Sequence, residues 1–402
     1  VIRKKLIIVG GGAAGFFTAA NVDGDKYDIL ILEQAKEVLQ KVKISGGGRC
    51  NVTHACFDPK ELVSFYPRGS KELLGVFSNF QPGDTMAWFS ERNVDLKIES
   101  DQRVFPTSDS SQSIIDCLVS ASEKNHAQIH FQERVKEINP VKSGWEITTS
   151  HQKHYADAVV FCTGSSPKAY EILKNLDLNI IELVPSLFTF HIKNKVIQGF
   201  MGTSFPDAEV KIPQINKEAF GPLLITHWGL SGPAILKLSA WAARELHALK
   251  YQFEIVVNFL GIDISQAEET FLEYKKTHPK KTLGQAKIFN LTHRFWIHLL
   301  KICHLNAQQN LAETSHKEMF SLLEILCKCK MQVTKKSTFK EEFVTAGGVD
   351  LKEIDFRNMQ SKKHPGFYLA GEVLNIDAVT GGFNFQACWS EAWLISQDLN
   401  SK

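Results

Sequence analysis

Several short stretches of this chain carry residue types and spacings suited to nucleotide and redox chemistry. Gly10-Gly11-Gly12-Ala13-Ala14-Gly15 has the G-x-G-x-x-G spacing. Gly10 permits a tight turn, Gly12 leaves bare backbone for a pyrophosphate to approach, and Gly15 lets a helix lie against a strand. Glu33, about 20 residues further on, is placed to accept both hydroxyls of a ribose, with Gln34 beside it. Thr163-Gly164 ends another apolar run, and Gly371-Glu372 ends a third, followed by Asp377. Ser45-Gly46-Gly47-Gly48-Arg49-Cys50-Asn51 is a glycine-rich loop whose backbone suits a flat or phosphorylated ligand. Arg49 is a candidate phosphate partner there, Asn51 a hydrogen-bonding one, and Lys41 lies just upstream. Cys50 beside Arg49 is either a thiol of lowered pKa or a packing residue. His227 is the one motif histidine with mechanistic appeal, as a proton donor to a substrate. The alternative is a histidine that satisfies backbone groups at a turn before Ser231-Gly232-Pro233.

Those residues need a particular set of elements to position them. Leu6-Ile7-Ile8-Val9 and Ile29-Leu30-Ile31-Leu32 read as buried strands on either side of a helix that starts near Ala13. Ala158-Val159-Val160-Phe161 and Phe367-Tyr368-Leu369 read the same way. The expected fold is α/β, with a Rossmann-like domain assembled from residues 1–187 and 343–402. The middle is then an insertion. Residues 188–262 contain short strand patterns and predict a β-rich, barrel-like module; residues 263–330 turn helical, and 331–342 return as a strand. Ser315-x-x-Glu318 predicts a helix start ahead of Met319-Phe320-x-Leu322-Leu323.

With 402 residues, 44% apolar and 22% charged, the chain has the composition of a globular protein with a full core. The net charge of +2 demands neither a nucleic acid nor a membrane as partner. The charge is uneven, however: residues 263–340 carry 13 Lys or Arg against 7 Asp or Glu. A solvated face or a surface for an anionic substrate or RNA would account for it. The eight cysteines form no C-x-x-C pair, which excludes dithiol exchange and a cysteine metal site. No metal is expected, and a reducing, cytoplasmic compartment is. The start runs straight into the first strand, so no signal peptide is expected. The longest uncharged stretch, 219–236, is broken by Gly, Pro and polar residues, which argues against a membrane span.

The C-terminal features choose between cofactors. A carboxylate after a glycine, as in Gly371-Glu372 or at Asp377, suits the ribityl chain of FAD. Gly381-Gly382-Phe383-Asn384 opens the last helix, whose N-terminal N–H groups suit the flavin edge that becomes negative on reduction, worth ~1–2 kcal/mol in a partly buried site. No second G-x-G-x-x-G occurs, so any NAD(P)H that reduces the flavin must bind transiently.

Taken together with Thr226-His227-x-Gly229-Leu230-Ser231-Gly232-Pro233 and Thr345-Ala346-Gly347-Gly348-Val349, these motifs resemble the HI0933-like (YhiN/BaiN-type) flavoproteins along essentially the whole chain. The resemblance implies one non-covalent FAD, a glutathione-reductase-type FAD domain and an insert of β-barrel plus small helical domain. It also implies oxidoreductase activity; members have been linked to bile-acid-type enone reduction and to amine oxidation. Its expected cofactor contacts add Val135 to the residues above. Three departures stand near the expected flavin region: Leu39-Gln40 replaces Gly-Arg before Lys41, the segment after Thr163-Gly164 is short, and Asn375 replaces an Asp. The expected function is hydride transfer between FAD and a small organic substrate, with residues near 190–340 supplying substrate contacts. A flavin-dependent tRNA-modifying enzyme and a non-catalytic flavin-binding sensor are the alternatives.

Overall fold

Leu6, Ile7, Ile8 and Val9 are all buried, as a continuous apolar run must be when its strand is covered on both faces. They form β1 (Lys4–Val9), which pairs in parallel with β2 (Tyr27–Leu32) on one side and with the strand Ala158–Phe161 on the other. The strand Phe367–Leu369 joins the far side of Ala158–Phe161, and Gln128–His130 joins the far side of β2. Two short antiparallel strands complete a seven-stranded sheet. The structure, a computed structural model, describes residues 3–337 and 344–402.

Between β1 and β2 runs the helix α1 (Ala13–Asn21), in which every residue from Ala14 to Ala20 is buried. Small residues on one side let it approach the sheet, and Phe17 on the other packs 5.2 Å from Trp389 of the C-terminal helix Phe383–Asn400. That helix is fixed by a buried polar chain. Gln386 Oε1 accepts from the Thr53 and Thr85 hydroxyls at 2.6 and 2.9 Å, and the Trp389 indole donates to the Val52 carbonyl.

The chain divides into two compact units, Val1–Val184 with Val344–Lys402, and Pro185–Phe343. The second unit contains a closed six-stranded barrel built from Phe190–Ile192, Gly229–Ser231, Lys217–Ile225, Ser204–Ile212, Phe253–Asn258 and Cys329–Lys336. Alternate side chains of Cys329, Met331 and Val333 point inward while their neighbours are exposed. The helical stretch does not form a core of its own. Trp296, Leu299, Leu322 and Leu326 share one apolar cluster with Phe205, Val210, Ile225 and Ile255 of the barrel. Ser315 caps the helix His316–Cys327 reciprocally with Glu318. The returning strand starts at Cys329, earlier than expected, and residues 338–342 of the expected segment lie outside the described residues. Among the described residues no helix is long and apolar enough to cross a membrane, and all eight cysteines are free thiols.

Candidate functional site

The glycine loop after β1 assigns a different job to each glycine. Gly10 sits at φ +112°, and a Cβ there would lie 2.5 Å from the Cys162 carbonyl oxygen. A Cβ on Gly15 would overlap the Gly10 carbonyl oxygen, so Gly15 sets how closely α1 meets the loop. Gly12 is the exception: nothing lies within 4 Å of its Cβ position. It is also the N-cap of α1, where no side chain caps the first N–H groups and the first turn, beginning Ala13-Ala14, holds no acid. Bare N–H groups at the positive end of a helix dipole, facing open space, make an anion cradle.

Glu33 closes the loop from the end of β2. Its Oε2 accepts from the Gly11 N–H at 2.8 Å and its Oε1 from the Ala35 N–H at 2.7 Å. Gly10, Glu33, Gln34, Val135 and Thr163 line one cleft, together with Arg134 and Lys168, which sequence reasoning missed. Beside them lies an unforeseen cluster around the buried Glu133. Its carboxylate accepts from Thr149 at 2.7 Å and meets His130 Nδ1 at 2.8 Å and His154 Nε2 at 2.6 Å. Burial alone would raise this carboxyl, but the bonds from His154, Thr149 and His130 outweigh it and hold it at about 2. The Glu133 N–H donates to the Glu33 carbonyl at 2.9 Å, so the cluster braces the residue expected to bind the ribose.

A second group assembles from distant stretches of the same unit. Lys41 pairs with Glu372, and Glu372 Oε2 lies 3.7 Å from the Cβ position of Gly164. The helix Gln40–Gly48 breaks at Ser45, and Gly46, Gly47 and Gly48 all have positive φ, so this is a glycine loop despite its helical flank. Asn51 from that loop meets the start of the C-terminal helix: a Cβ on Gly382 would lie 2.8 Å from Asn51 Oδ1. Gly382 caps the helix with no side-chain bond, Gly381 precedes it at φ +135°, and Gly371 takes φ +80°.

Five expected cofactor residues are engaged otherwise. Arg49 Nη1 lies 2.6 Å from Glu99 and 3.4 Å from Asp109, and its guanidinium rests 3.9 Å over the Phe105 ring. Cys50 is fully buried, and burial pushes its thiol up to about 12, as for a packing residue. Asp377 is also fully buried and forms a two-pronged pair with Arg68. Asn384 makes both its amide bonds with Ala378, pinning the preceding loop. Phe383 is buried, stacked 4.4 Å from Phe65 and 4.5 Å from His54.

His227 lies in the barrel unit, exposed, with its ring 4.2 Å from Trp228. It does not hold the turn. Thr226 does, since its hydroxyl accepts from the N–H groups of Trp228 and Gly229 and its own N–H donates to the Gly229 carbonyl. His191, unremarked in the sequence, stacks on Trp228 at 5.2 Å, and burial with the nearby charges of Lys335 and His227 lowers its pKa.

The model of the HI0933-like protein Rossmann domain matches residues 4–398. The chain belongs to the HI0933-like family. It is therefore a flavoprotein oxidoreductase with a Rossmann-type FAD domain. This HI0933-like chain is 28% identical to the ribosomal RNA dihydrouridine synthase of Escherichia coli, over 99% of its own length and 98% of the relative's. It is 25% identical to the 3-dehydro-bile acid delta(4,6)-reductase of Clostridium scindens, covering 98% of each. The fold is similar to that of 3-ketosteroid delta1-dehydrogenase from Sterolibacterium denitrificans, with a TM-score of 0.51, 9% identity and 100% of both chains covered.

The residues present fit the cofactor of an HI0933-like protein: the open face of Gly12 is the cradle that a Cβ would fill, and Glu33 stands a loop away. Glu33→Gln keeps one carbonyl acceptor but loses the charge and one of the two bonds to Gly11 and Ala35. FAD affinity should fall by about 1.5–3 kcal/mol, the range for hydrogen bonds to charged groups, or about 10- to 100-fold in Kd by flavin fluorescence titration. An unchanged Kd would remove Glu33 from the site.

Glu391, also missed from sequence, is fully buried in the C-terminal helix of this HI0933-like protein. Its Oε2 accepts from the Gly371 N–H at 2.6 Å, and its Oε1 has no hydrogen-bond partner. Burial raises the carboxyl to about 8, with the Gly371 bond offsetting only part of the effect. The folded pKa lies above the unfolded one, so the associated stability is complete below about pH 4.3 and is lost as pH rises through about 8. Glu391→Gln, which keeps an acceptor for Gly371, should match the parent near pH 5 and exceed it by on the order of 2–4 kcal/mol at pH 9. Denaturant melts at both pH values check this; a pH-independent difference would mean that Glu391 does not titrate in this way.

Proposed function

We propose that this protein transfers a hydride from reduced FAD to an electron-poor carbon–carbon double bond conjugated to a carbonyl in a small organic substrate. The observation that carries the reading is the cradle at Gly12 in a chain whose two relatives above, matched over nearly their full lengths, are both named for saturating a ring double bond. FAD, when bound, supplies the two electrons as a hydride. The N–H groups at the start of α1 bind the pyrophosphate, and Glu33 holds the ribose. Glu372, oriented by Lys41, accepts from the ribityl hydroxyls. The uncapped N-terminus of Phe383–Asn400 offers a positive dipole end to charge that develops on reduction. The proton that must reach the neighbouring carbon comes from His227, which is exposed and not engaged in the turn.

NAD(P)H binds transiently as the reductant, in keeping with a chain that has a single glycine-loop nucleotide site. Anaerobic titration of the yellow protein with NADH and NADPH, followed by a panel of cyclic enones, tests the reading. Bleaching by a nicotinamide and reoxidation by an enone are the expected results. A flavin that neither nicotinamide reduces, and that no enone reoxidises after dithionite reduction, would sink the proposal and favour a binding role.

A second reading places the double bond in a uracil of RNA. It is favoured by the 28% identity to the E. coli enzyme and by the stretch 274–312, which has seven Lys or Arg and no Asp or Glu. Release of reduced uridine from treated ribosomal RNA distinguishes it from the first.

A further inference from the structure

The barrel unit gathers two segments of chain that contain no acidic residue. Residues 274–312 carry Lys275, Lys276, Lys280, Lys281, Lys287, Arg294 and Lys301, and residues 183–206 carry Lys193 and Lys195. They meet at the helix His293–Ile302. Its apolar face, with Phe295, Trp296, Leu299 and Leu300, is buried in the core. Its outer face presents His293, Arg294 and Lys301 to solvent. Arg294 Nη2 donates to the Gly199 carbonyl at 2.5 Å, and His298 Nε2 lies 2.9 Å from the Lys195 carbonyl, which ties the 193–202 loop to the helix. Asn194 adds a further tie by donating to the Lys330 carbonyl at 3.3 Å.

Between loop and helix lies a hollow lined by Phe200, His293, Arg294, Ile297, His298 and Lys301. Its floor rests on the buried Phe200, which is covered by the Arg294 guanidinium at 4.9 Å and the half-buried His298 ring at 4.6 Å, and its rim is cationic. Among the described residues, none of Lys193, Lys195, Arg294, Lys301 and Lys330 has a carboxylate partner. In the FAD unit, by contrast, Lys41, Lys43, Arg49, Arg68, Lys97, Arg103 and Lys153 pair with acids.

A solvated basic face would normally be interspersed with acids, since mixed charge reduces self-repulsion. This one is uncompensated and also contains rings. Phosphates match the cations of the rim, and a base matches the half-buried His298 ring among them, where stacking and charge act together.

We infer that this face, centred on Lys193, Lys195, Arg294 and Lys301, docks RNA through its phosphate backbone with a base against His298. The inference deepens the RNA reading above and rests on it.

The test is fluorescence anisotropy with a 5′-labelled 30-nucleotide RNA hairpin bearing a uridine-rich loop, on the FAD-loaded protein, across a salt series. The Lys193→Gln/Lys195→Gln/Arg294→Gln/Lys301→Gln variant should bind at least tenfold more weakly at 150 mM salt. Its log K against log salt slope should flatten by about 0.7 for each phosphate no longer neutralised. FAD content and circular dichroism should match the parent, and a Lys60→Gln/Lys136→Gln/Lys142→Gln control should bind RNA normally. Parental affinity and slope in the quadruple variant overturn the inference. So does binding to phosphatidylglycerol vesicles with none to the hairpin. RNA binding that depends on this face, with no reduced uridine formed in any RNA, keeps the docking surface and removes RNA as the substrate.

Discussion

Gly12→Val is expected to yield folded but colourless protein. The Cβ position of Gly12 has no neighbour within 4 Å and its φ is −94°, so valine neither clashes with the chain nor strains it. What it fills is the approach to the first N–H groups of α1, where the pyrophosphate is expected. FAD content after purification and reconstitution should drop to near zero, with circular dichroism and melting temperature close to those of the apoprotein. Gly15→Val is the informative contrast, because its Cβ overlaps the Gly10 carbonyl oxygen. That variant should lose stability as well as flavin, since overpacking costs typically about 1–3 kcal/mol or more. Stoichiometric FAD in Gly12→Val would place the cofactor elsewhere.

The next largest effect is expected at His227. His227→Asn should retain FAD and stability, because the bonds of its turn belong to Thr226. If His227 gives the proton, substrate-driven flavin reoxidation in stopped flow should slow by roughly 10²–10⁴, while reduction by dithionite stays unchanged. An unaltered reoxidation rate would assign His227 to the aromatic stack with Trp228 and His191. Loss of FAD would tie the turn to cofactor binding.

The contrast between these two sites shows what a sequence can carry. The Gly10–Gly15 loop and Glu33 are legible because their geometry is local: one turn, one helix start and the end of the neighbouring strand. The buried strands are legible for a similar reason, as uninterrupted apolar runs. Ion-pair partners are not local. Arg49 meets Glu99 and Asp109 across 50 and 60 residues, and Asp377 meets Arg68 across 309. Nothing in their own neighbourhoods distinguishes a charge that will be matched from one left for a ligand. His130, Glu133 and His154 escape notice because a three-stranded antiparallel meander, Val135–Ala156, brings the last of them back to the first two. Glu391 reads as an ordinary polar position until the helix that contains it is seen to be buried nearly all round. At the turn before Ser231, the eye goes to the titratable His227, yet the hydroxyl of Thr226 does the capping, as short side chains at turns commonly do.

The divided make-up of the FAD unit bears on how the chain is made. The strand Phe367–Leu369 and the helix Phe383–Asn400 complete a sheet and a core begun by the first 32 residues. On the ribosome, Phe17 of α1 therefore meets Phe80 and Trp88 first and lacks Trp389 until the end, while the barrel unit, being one continuous stretch, can fold in the interval. Flavin loading then becomes a post-synthetic event. Until the tail arrives, the unfinished sheet is an aggregation-prone surface and a natural point of chaperone attention.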